Sequence, residues 1–196
     1  MITINGTTVT GVTLNGASVN TVTCNGITVF SAMQDYTFPN SSKRCTSNTA
    51  TYGISFSTTG TWAGYPAWKT MDNDASTYWA DFNSPDVITI TMPFGIQLNS
   101  VTIKNRTGKN AGMTWGTVSV TTSTADSGWQ QIAIFQGTRS GNAGVSTTYP
   151  CSISSTNIRR IRVSGGVWAS TDEHSIGEIV LAFKAKPSDL QAYGLL

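Results

Sequence analysis

The sequence predicts an all-β protein, a sandwich or barrel of seven or so strands that follows a small β-repeat segment. From residue 50 onward, short runs rich in Val, Ile and Thr alternate with turn residues. Within residues 86–92, DVITITM, the side chains of Ile88, Ile90 and Met92 fall on one face, which is typical of an antiparallel strand with one buried face. The other runs are TYGISFS, SVTIKN, GTVSVTTS, QQIAIFQ, NIRRIRVSG and IGEIVLAFKA.

The first thirty residues contain three copies of Asn-Gly with a period of ten, at Asn5-Gly6, Asn15-Gly16 and Asn25-Gly26. Asn-Gly between β-prone runs is the strongest short signal for a hairpin with a type I′ turn. The apolar residues that flank successive turns differ in parity, so we expect a bulge or bend near Gly11 and Thr21. Because such a segment has few apolar side chains, we expect it to pack on another protein or on copies of itself.

The chain divides into four predicted parts. Residues 1–35 form the Asn-Gly repeat, which serves attachment or oligomerisation, and residues 36–49 form a polar linker. Residues 50–186 form the main β domain. Residues 187–196 form a tail that begins with a short helix capped by Ser188.

The composition limits the classes of partner. Charged residues make up 11% of the 196 residues, and a net charge of +2 with scattered basic residues does not supply the electrostatic footprint of a nucleic-acid-binding protein. The cysteines Cys24, Cys45 and Cys151 lack CxxC spacing and predict neither a disulfide framework nor a zinc site. The first residues lack the pattern of a signal peptide, and no apolar run approaches a membrane span, so we expect neither export by a signal peptide nor membrane insertion.

Four sequence blocks carry a family resemblance. They are residues 65–81 (YPAWKTMDNDASTYWAD), 86–106 (DVITITMPFGIQLNSVTIKNR), 125–135 (ADSGWQQIAIF) and 158–183 (IRRIRVSGGVWASTDEHSIGEIVLAF). In this order they resemble the discoidin, or F5/8 type C, domain family, which includes the family 32 carbohydrate-binding modules. The resemblance implies a jelly-roll sandwich of about eight antiparallel strands with its ligand-binding loops at one end.

The acidic loop AWKTMDND further resembles the version of this loop in discoidin-like domains of phage tail fibres. The Asn-Gly segment is similar to the short leading segments of phage virion proteins. Together the two halves imply a phage tail or fibre protein that is located in the virion and assembled in the reducing host cytoplasm. The partners implied are other virion proteins, reached through residues 1–40, and a host-surface glycan, and we expect a homo-oligomer with a trimer favoured.

The acidic loop is also a candidate calcium site. Asp72, Asp74 and Thr77 lie on it, and Glu178 begins the last strand, where the resemblance places a calcium-facing glutamate. Oxygen ligands of this kind suit a structural Ca²⁺ ion. The alternative is that Asp72 and Asp74 only cap a tight turn through Asx bonds while Glu178 pairs with a nearby Lys or Arg.

The six tryptophans divide into two groups. Trp79 and Trp129 match positions that are core in the family. Those in Gly-rich or polar stretches, predicted to be loops, are Trp62, Trp68, Trp115 and Trp168. A loop indole can stack on the C–H face of a sugar, fill a gap between loops, or anchor a protein contact.

The preferred ligand-binding cluster centres on Trp168. It combines Trp168 with Arg106, Asp172 and His174, and Trp115 and Trp62 are additional candidates. Indole rings would stack on a sugar, and the charged groups would bond its hydroxyls.

Catalysis is not expected. His174 is the only histidine, and we interpret it as a solvated loop residue rather than as a general base. No serine lies in a GxSxG nucleophile elbow. Arg160 and Arg162 share one face of a strand while Arg159 lies on the other, which indicates a solvated sheet face rather than a reactive site.

Three functions are compatible with these features. The preferred one is a non-enzymatic phage virion component that binds host-surface carbohydrate through loops at one end of the sandwich. The second is a purely structural virion protein of the tail, collar or capsid surface that binds no glycan. The third, a carbohydrate-binding module detached from a cellular enzyme, fits the sandwich but not the repeat segment.

Overall fold

The structure is a computed structural model, and it describes most of the chain. The described residues are 3–4, 7–8, 12–14, 17–19, 21–24, 27–47, 51–61, 63–74, 76–81, 86–107, 113, 115–136, 143–166 and 174–196. For the strands that precede Ala32, the description concerns the pairing of the backbone.

Three antiparallel hairpins open the chain. They are β1 (Thr3–Ile4) with β2 (Thr7–Thr8), β3 (Val12–Leu14) with β4 (Ala17–Val19), and β5 (Thr21–Cys24) with β6 (Ile27–Ser31). The innermost partners are Ile4 with Thr7, Leu14 with Ala17 and Cys24 with Ile27, so one Asn-Gly pair separates the strands each time.

The predicted hairpins are therefore confirmed, because a two-residue Asn-Gly connection sets the register locally. The bulge predicted near Thr21 corresponds to a register shift between Val22 and Thr23. Gly11, the other predicted bend, lies outside the described residues.

The later strands form a sandwich. They are β7 (Gln34–Phe38), β8 (Ser55–Thr58), β9 (Trp79–Asp81), β10 (Asp86–Lys104), β11 (Trp115–Thr121), β12 (Gln130–Gln136), β13 (Ser146–Pro150), β14 (Ile158–Gly166), β15 (His174–Ile176) and β16 (Glu178–Ala185). One layer has the order β12-β11-β14-β10-β8, and the other has the order β13-β10-β16-β7. All pairings are antiparallel, and β9 pairs with β15 in a small separate sheet. The predicted antiparallel sandwich of about eight main strands is confirmed.

Strand β10 joins the two layers. The sequence predicts two strands here, but residues 86–104 form one strand whose pairing with β14 shifts register between Thr91 and Ile96. Pro93 and Gly95 occupy this break, where a proline removes no ladder hydrogen bond. A Cβ atom on Gly95 would lie 2.3 Å from Oδ1 and 3.0 Å from the Cα atom of Asn157, so a larger residue here would require Asn157 to shift.

The core lies between the layers. Inward side chains of the first layer, such as Ile88 and Ile161, are fully buried, as are Leu181 and Phe183 of the second layer. Trp79 is also fully buried, which confirms its predicted core position. Full burial of an aliphatic or aromatic side chain of this kind contributes about 1.5–3 kcal/mol to folding.

The prediction that residues 36–49 form a polar linker is wrong. The first of these residues belong to a strand, and part of the segment lies in the core. Residues 34–38 form β7, in which Phe38 pairs with Leu181 of β16 and has no exposed surface. Cys45 is also in the core, and its amide donates to the carbonyl of Met71 at 2.8 Å. Five residues with only Tyr36 and Phe38 as large side chains are too few to predict a strand from their pattern, so only long-range pairing reveals it.

The C-terminal residues are packed against this same segment. A short helix, α1 (Pro187–Ala192), confirms the predicted element, but its N-cap is Lys186, without a side-chain cap bond, rather than Ser188. Leu190 and Leu195 are buried, and the hydroxyl of Tyr36 donates to the carbonyl of Leu195 at 2.8 Å. Within the described residues, no helix is long and apolar enough to span a membrane.

Candidate functional site

The candidate site is the end of the sandwich at which β10 both begins and ends. Oδ2 of Asp86, the first residue of β10, lies 2.5 Å from Nδ1 of His174. The carbonyl of Lys104, the last residue, accepts a hydrogen bond from the amide of Gly177 at 2.9 Å. Both ends of β10 therefore meet the same short stretch of chain. We call this the loop end, and we call the opposite end, where β10 breaks at Pro93, the bend end.

Arg106 is part of a four-membered stack at the loop end. Its guanidinium carbon lies 3.6 Å from the ring centroid of Tyr78. The rings of Tyr78 and Tyr65 are nearly parallel, at 23°, with centroids 4.6 Å apart. The ammonium of Lys69 lies 5.5 Å from the Tyr65 ring and donates to the carbonyl of Gly64 at 2.9 Å. In this stack, which we call the Tyr65–Tyr78 stack, the Arg106 guanidinium packs on the Tyr78 ring, which restricts its position.

The backbone around Arg106 is fixed as well. The amide of Asn105 donates to the carbonyl of Val145, and the carbonyl of Arg106 accepts from the amide of Gly144, both at 2.9 Å. These bonds hold the chain that follows β10 against the chain that leads into β13. A side chain on such a support is better positioned for recognition than one on an unsupported loop.

Trp115, another predicted ligand residue, begins β11 at the loop end. It pairs with Gly166 of β14 on one side and with Gln136 of β12 on the other. Its neighbour in the ladder is the Gly116–Gly165 pair, and Gly165 in turn faces Asp86. The indole is half-buried, so part of it is accessible at this end.

The expectation that His174 is a solvated loop residue is wrong. His174 begins β15, pairs with Asp81 of β9 and has no exposed surface. Asp86 is likewise fully buried, and burial raises the pKa of its carboxyl, Asp81 raises it further, and the bond to His174 opposes this. Among the described residues, His174 Nε2 and Asp86 Oδ1 have no hydrogen-bond partner. As placed, the His174 ring offers no surface to a ligand, because tertiary pairing draws it inside.

The structure brings the four predicted calcium ligands together. Oδ1 of Asp72 accepts from the amide of Asp74 at 3.0 Å, and Oδ2 of Asp72 accepts from the Thr77 hydroxyl at 2.5 Å. Oε1 of Glu178 accepts from the amide of Asn73 at 2.7 Å. Asn73 has φ 56°, a left-handed conformation that asparagine tolerates better than most residues.

The electrostatics of this acidic cluster, Asp72, Asp74, Thr77 and Glu178, are those of crowded carboxylates. The pKa of Glu178 is raised from 4.5 to about 7, mainly by burial and also by the charges of Asp72 and Asp74. Burial also raises the pKa of Asp72, whereas hydrogen bonds from Ser76 lower the pKa of Asp74. A cation would relieve this crowding.

Both interpretations of the cluster keep some support. Its donors are all oxygens, which fits Ca²⁺. The Asx bonds expected of a simple capped turn are also present at Asp72 and Asp74. In the part of the chain that the structure describes, no group of three or more Asp, Glu, His or Cys side chains is arranged to hold a metal ion. Calcium binding stays a prediction.

Several predicted ligand residues cannot be placed. Trp62, Trp168 and Asp172 lie outside the described residues. The cluster centred on Trp168 therefore stays a prediction, while Arg106 and Trp115 lie at the expected end of the sandwich. Tyr65 and Tyr78 were missed by sequence reasoning, although both flank the acidic loop that carries the family resemblance.

Trp129 is not a core residue, contrary to the prediction. It is half-buried on the outer face of the first layer, where its indole lies 3.9 Å from the Arg162 guanidinium carbon. Its Nε1 donates to Asp126 Oδ1 at 2.8 Å. The predicted sharing of one face by Arg160 and Arg162 is confirmed, since both lie near this indole and Asp126.

Comparisons with known proteins identify the fold. No protein-family model matches the sequence, and no curated protein matches it. The family 32 carbohydrate-binding module of NanJ from Clostridium perfringens, solved with galactose, is similar with a TM-score of 0.51 and 15% identity over 66% of this chain and 93% of that one. Chitosan-binding module 1 of a chitosanase/glucanase from Paenibacillus sp. IK-5 has a TM-score of 0.54 and 18% identity over 69% and 98%.

An F5/8 type C domain from Bacteroides fragilis is also similar, with a TM-score of 0.53 and 12% identity over 68% of this chain and 91% of that one. Each match covers almost the whole length of the neighbour, whereas about a third of this chain lies outside it. The chain therefore contains a discoidin-like β-sandwich of the kind found in family 32 carbohydrate-binding modules and F5/8 type C domains.

Proposed function

We propose that this protein is a non-enzymatic carbohydrate-binding component of a phage particle. In this proposal the loop end of the sandwich contacts a host-surface glycan, and the hairpins of residues 1–31 join the protein to the particle and to its own copies. The observation that carries the proposal is the stacked, backbone-supported Arg106 at the loop end of a fold that the solved neighbours share.

The chemistry of the loop end suits a sugar. A guanidinium packed on Tyr78 carries several N–H donors, and sugar hydroxyls accept such bonds. The half-buried indole of Trp115 supplies an apolar face for the C–H side of a sugar ring. Two of the neighbours were solved as complexes with galactose and with GalNAc-β-1,3-galactose, which supports a saccharide as the class of ligand.

The absence of catalysis is part of the proposal. Asp72 and Glu178 both accept hydrogen bonds from backbone amides of the acidic loop, and Asp86 is buried against His174. Glycoside hydrolysis needs two carboxyl groups that flank one bond in an accessible cleft. The described carboxyl groups are better suited to holding loops in place.

The particle context rests on the N-terminal segment and on the sequence resemblance. Each hairpin there has only two to five residues per strand, and isolated two-stranded hairpins are marginally stable in water. Association with other virion proteins or with two further copies of the chain would complete their packing. A trimer is the favoured assembly.

A glycan array tests sugar binding. We expect the intact protein to bind a subset of glycans, and Arg106→Ala to weaken that binding about tenfold, the loss expected for a charge-assisted hydrogen bond. Arg106→Lys, which keeps the charge but loses the planar fork, should also bind poorly. Arg159→Gln is the matched control, because Arg159 donates to the carbonyl of Pro93 at the bend end. Unchanged binding by folded Arg106→Ala contradicts the proposed site.

A structural role without glycan binding is the second candidate. In this role, neighbouring proteins would cover exposed apolar side chains such as Ile134 and Val145, which are 64% and 45% exposed. Deletion of residues 1–31, which leaves β7 intact, should abolish the oligomer while the sandwich stays folded. Sedimentation of the two forms measures this, and an unchanged mass contradicts the assigned role of the hairpins.

A further inference from the structure

A groove of about 410 Å³ crosses the outer face of the first sandwich layer, away from the loop-end stack. Ser57 of β8 and Thr89 of β10 line one side, together with neighbouring threonines. Arg160 and Arg162 of β14 line the other side, together with Asp126 of the turn between β11 and β12. Its volume falls within the range of small-molecule sites, which is roughly 300–1,000 Å³.

The register of the sheet places both arginines in this groove. Arg160 lies opposite Thr91 and Thr121 in the ladders, and Arg162 lies opposite Thr89 and Ser119. Their side chains are only 12% and 24% exposed, so neither is a freely solvated surface arginine. Two guanidinium groups are thus held on a face lined by hydroxyls.

One carboxylate faces these two cations. Oδ1 of Asp126 accepts from Nη2 of Arg162 and lies 3.6 Å from Nη1 of Arg160. The same oxygen accepts from the indole of Trp129, against which Arg162 is stacked. The groove therefore has one positive charge in excess, and all three contacts use a single carboxylate oxygen.

The need to hold the turn that carries Asp126 does not explain why two arginines lie beside it. One arginine and Trp129 suffice to anchor Asp126, whose side chain is itself 68% exposed. Guanidinium groups bind carboxylates strongly, so the carboxylate of a ligand can compete with the exposed carboxylate of Asp126 for the two arginines.

We propose that this groove is a second saccharide site, selective for a sugar that carries a carboxylate. Arg162 and Arg160 bind the carboxylate in place of Asp126, the hydroxyls of Ser57 and Thr89 bond the ring hydroxyls, and Trp129 keeps Arg162 in position. This inference rests on the proposed function in its choice of a saccharide. A sulfate ester presents a similar oxyanion, and the experiment separates the two.

Calorimetry on the full chain tests the site with three probes. They are hexagalacturonate, its fully methyl-esterified form, and a hexasaccharide of neutral sugars that carries sulfate esters. We expect binding of hexagalacturonate, which weakens as salt rises, and none of the methyl ester. Arg162→Gln should weaken binding at least about tenfold, because a charged hydrogen bond is lost. Asp126→Asn should strengthen binding about threefold. The substitution removes a carboxylate that competes for the arginines, and the effect is small because exposed ion pairs are weak.

Arg159→Gln, on the opposite face of the same strand, is the matched control and should bind as the parent does. If Asp126→Asn and Arg162→Gln bind hexagalacturonate as tightly as the parent, or if the parent does not bind it, the groove is not such a site. Preference for the sulfated probe over hexagalacturonate overturns the choice of a carboxylate. Asp126→Asn keeps the test decisive even if Arg162→Gln fails to fold.

The two proposals fail separately. Arg106→Ala removes loop-end binding of neutral glycans but leaves the groove intact, so hexagalacturonate binding by this variant supports an independent second site. Loss of hexagalacturonate binding in Arg106→Ala would instead place the acidic sugar at the loop end and overturn the groove proposal.

Discussion

The two ends of the sandwich use different interactions. At the bend end, aromatic and aliphatic side chains predominate: Tyr193 packs on Phe94 with ring centroids 5.5 Å apart, and Leu195 is buried beside Tyr36. At the loop end, the buried groups include the Asp86–His174 pair. Apolar packing of this kind stabilises a fold without specific chemistry, whereas buried carboxyl groups cost stability unless each finds a partner. The comparison indicates that apolar packing is concentrated at the bend end, whereas polar and charged contacts are concentrated at the loop end.

The largest effect is expected at the bend end. Leu195→Ala should lower the free energy of unfolding by about 2–5 kcal/mol, because it removes a buried side chain and leaves a cavity. Leu196→Ala is the matched control, since Leu196 is 49% exposed and Leu195 only 2%. Urea denaturation measures both variants. Equal stability of the two would show that the tail does not belong to the core, and the contrast between the ends would fail.

Glu178, at the loop end, should make the free energy of unfolding depend on pH. Its pKa is raised from 4.5 to about 7, so the folded protein holds this proton more tightly than the unfolded chain. The contribution to stability is therefore present below about pH 4.5 and is lost as pH rises to about 7, an effect of about 3 kcal/mol.

Glu178→Gln should remove this loss of stability in calcium-free buffer, because glutamine still accepts the bond from the Asn73 amide without titrating. Asp35→Asn, at an exposed position, is the control. Denaturation curves between pH 4 and pH 8 measure the difference. A parent protein whose pH dependence matches that of Glu178→Gln would contradict the assignment.

Bound calcium should restore the stability that the loop end loses when Glu178 is ionised. If Asp72, Asp74, Thr77 and Glu178 bind the ion, calcium at about a hundred times its Kd stabilises the fold by about 2.7 kcal/mol. The measurement is Tm at pH 7.5 with calcium and with EDTA. A Tm that is the same in both buffers removes calcium from the site and favours the Asx-turn interpretation.

The smallest effect concerns the hydroxyl of Thr77. Thr77→Val should lower stability by about 1 kcal/mol, because the buried Asp72 carboxylate loses one hydrogen bond. Thr156→Val, at an exposed loop position, is the control. Thermal denaturation measures both. A loss near that of Leu195→Ala would show that the polar network carries as much stability as the apolar end.

Local features were predictable from the sequence. The Asn-Gly hairpins were predicted because a two-residue turn depends only on its own residues and the strands beside them. The alternation in residues 86–92 predicted that Ile88, Ile90 and Met92 enter the core, since the period of a strand is two. Arg106 and the acidic cluster were located through the order of the family blocks.

Long-range features were not predictable. Phe38 had no periodic context, yet pairing with Leu181, far along the chain, makes it a core residue. Trp129 resembles a core residue by its position, but the outward face of β14 offers it two arginines instead. His174 has a polar sequence context and is buried only because β15 pairs with β9.

The sequence by itself therefore determined the all-β class, the turns of the N-terminal hairpins and the inward faces of the main strands, because these depend on neighbours within a few residues. Only the tertiary structure decided that residues 34–47 and the C-terminal tail complete the sandwich and that His174 is internal. Only the tertiary structure, again, placed Arg160 and Arg162 in a groove with Asp126. Each of these depends on which distant segments meet, and that is set by the burial of the whole core rather than by any local pattern.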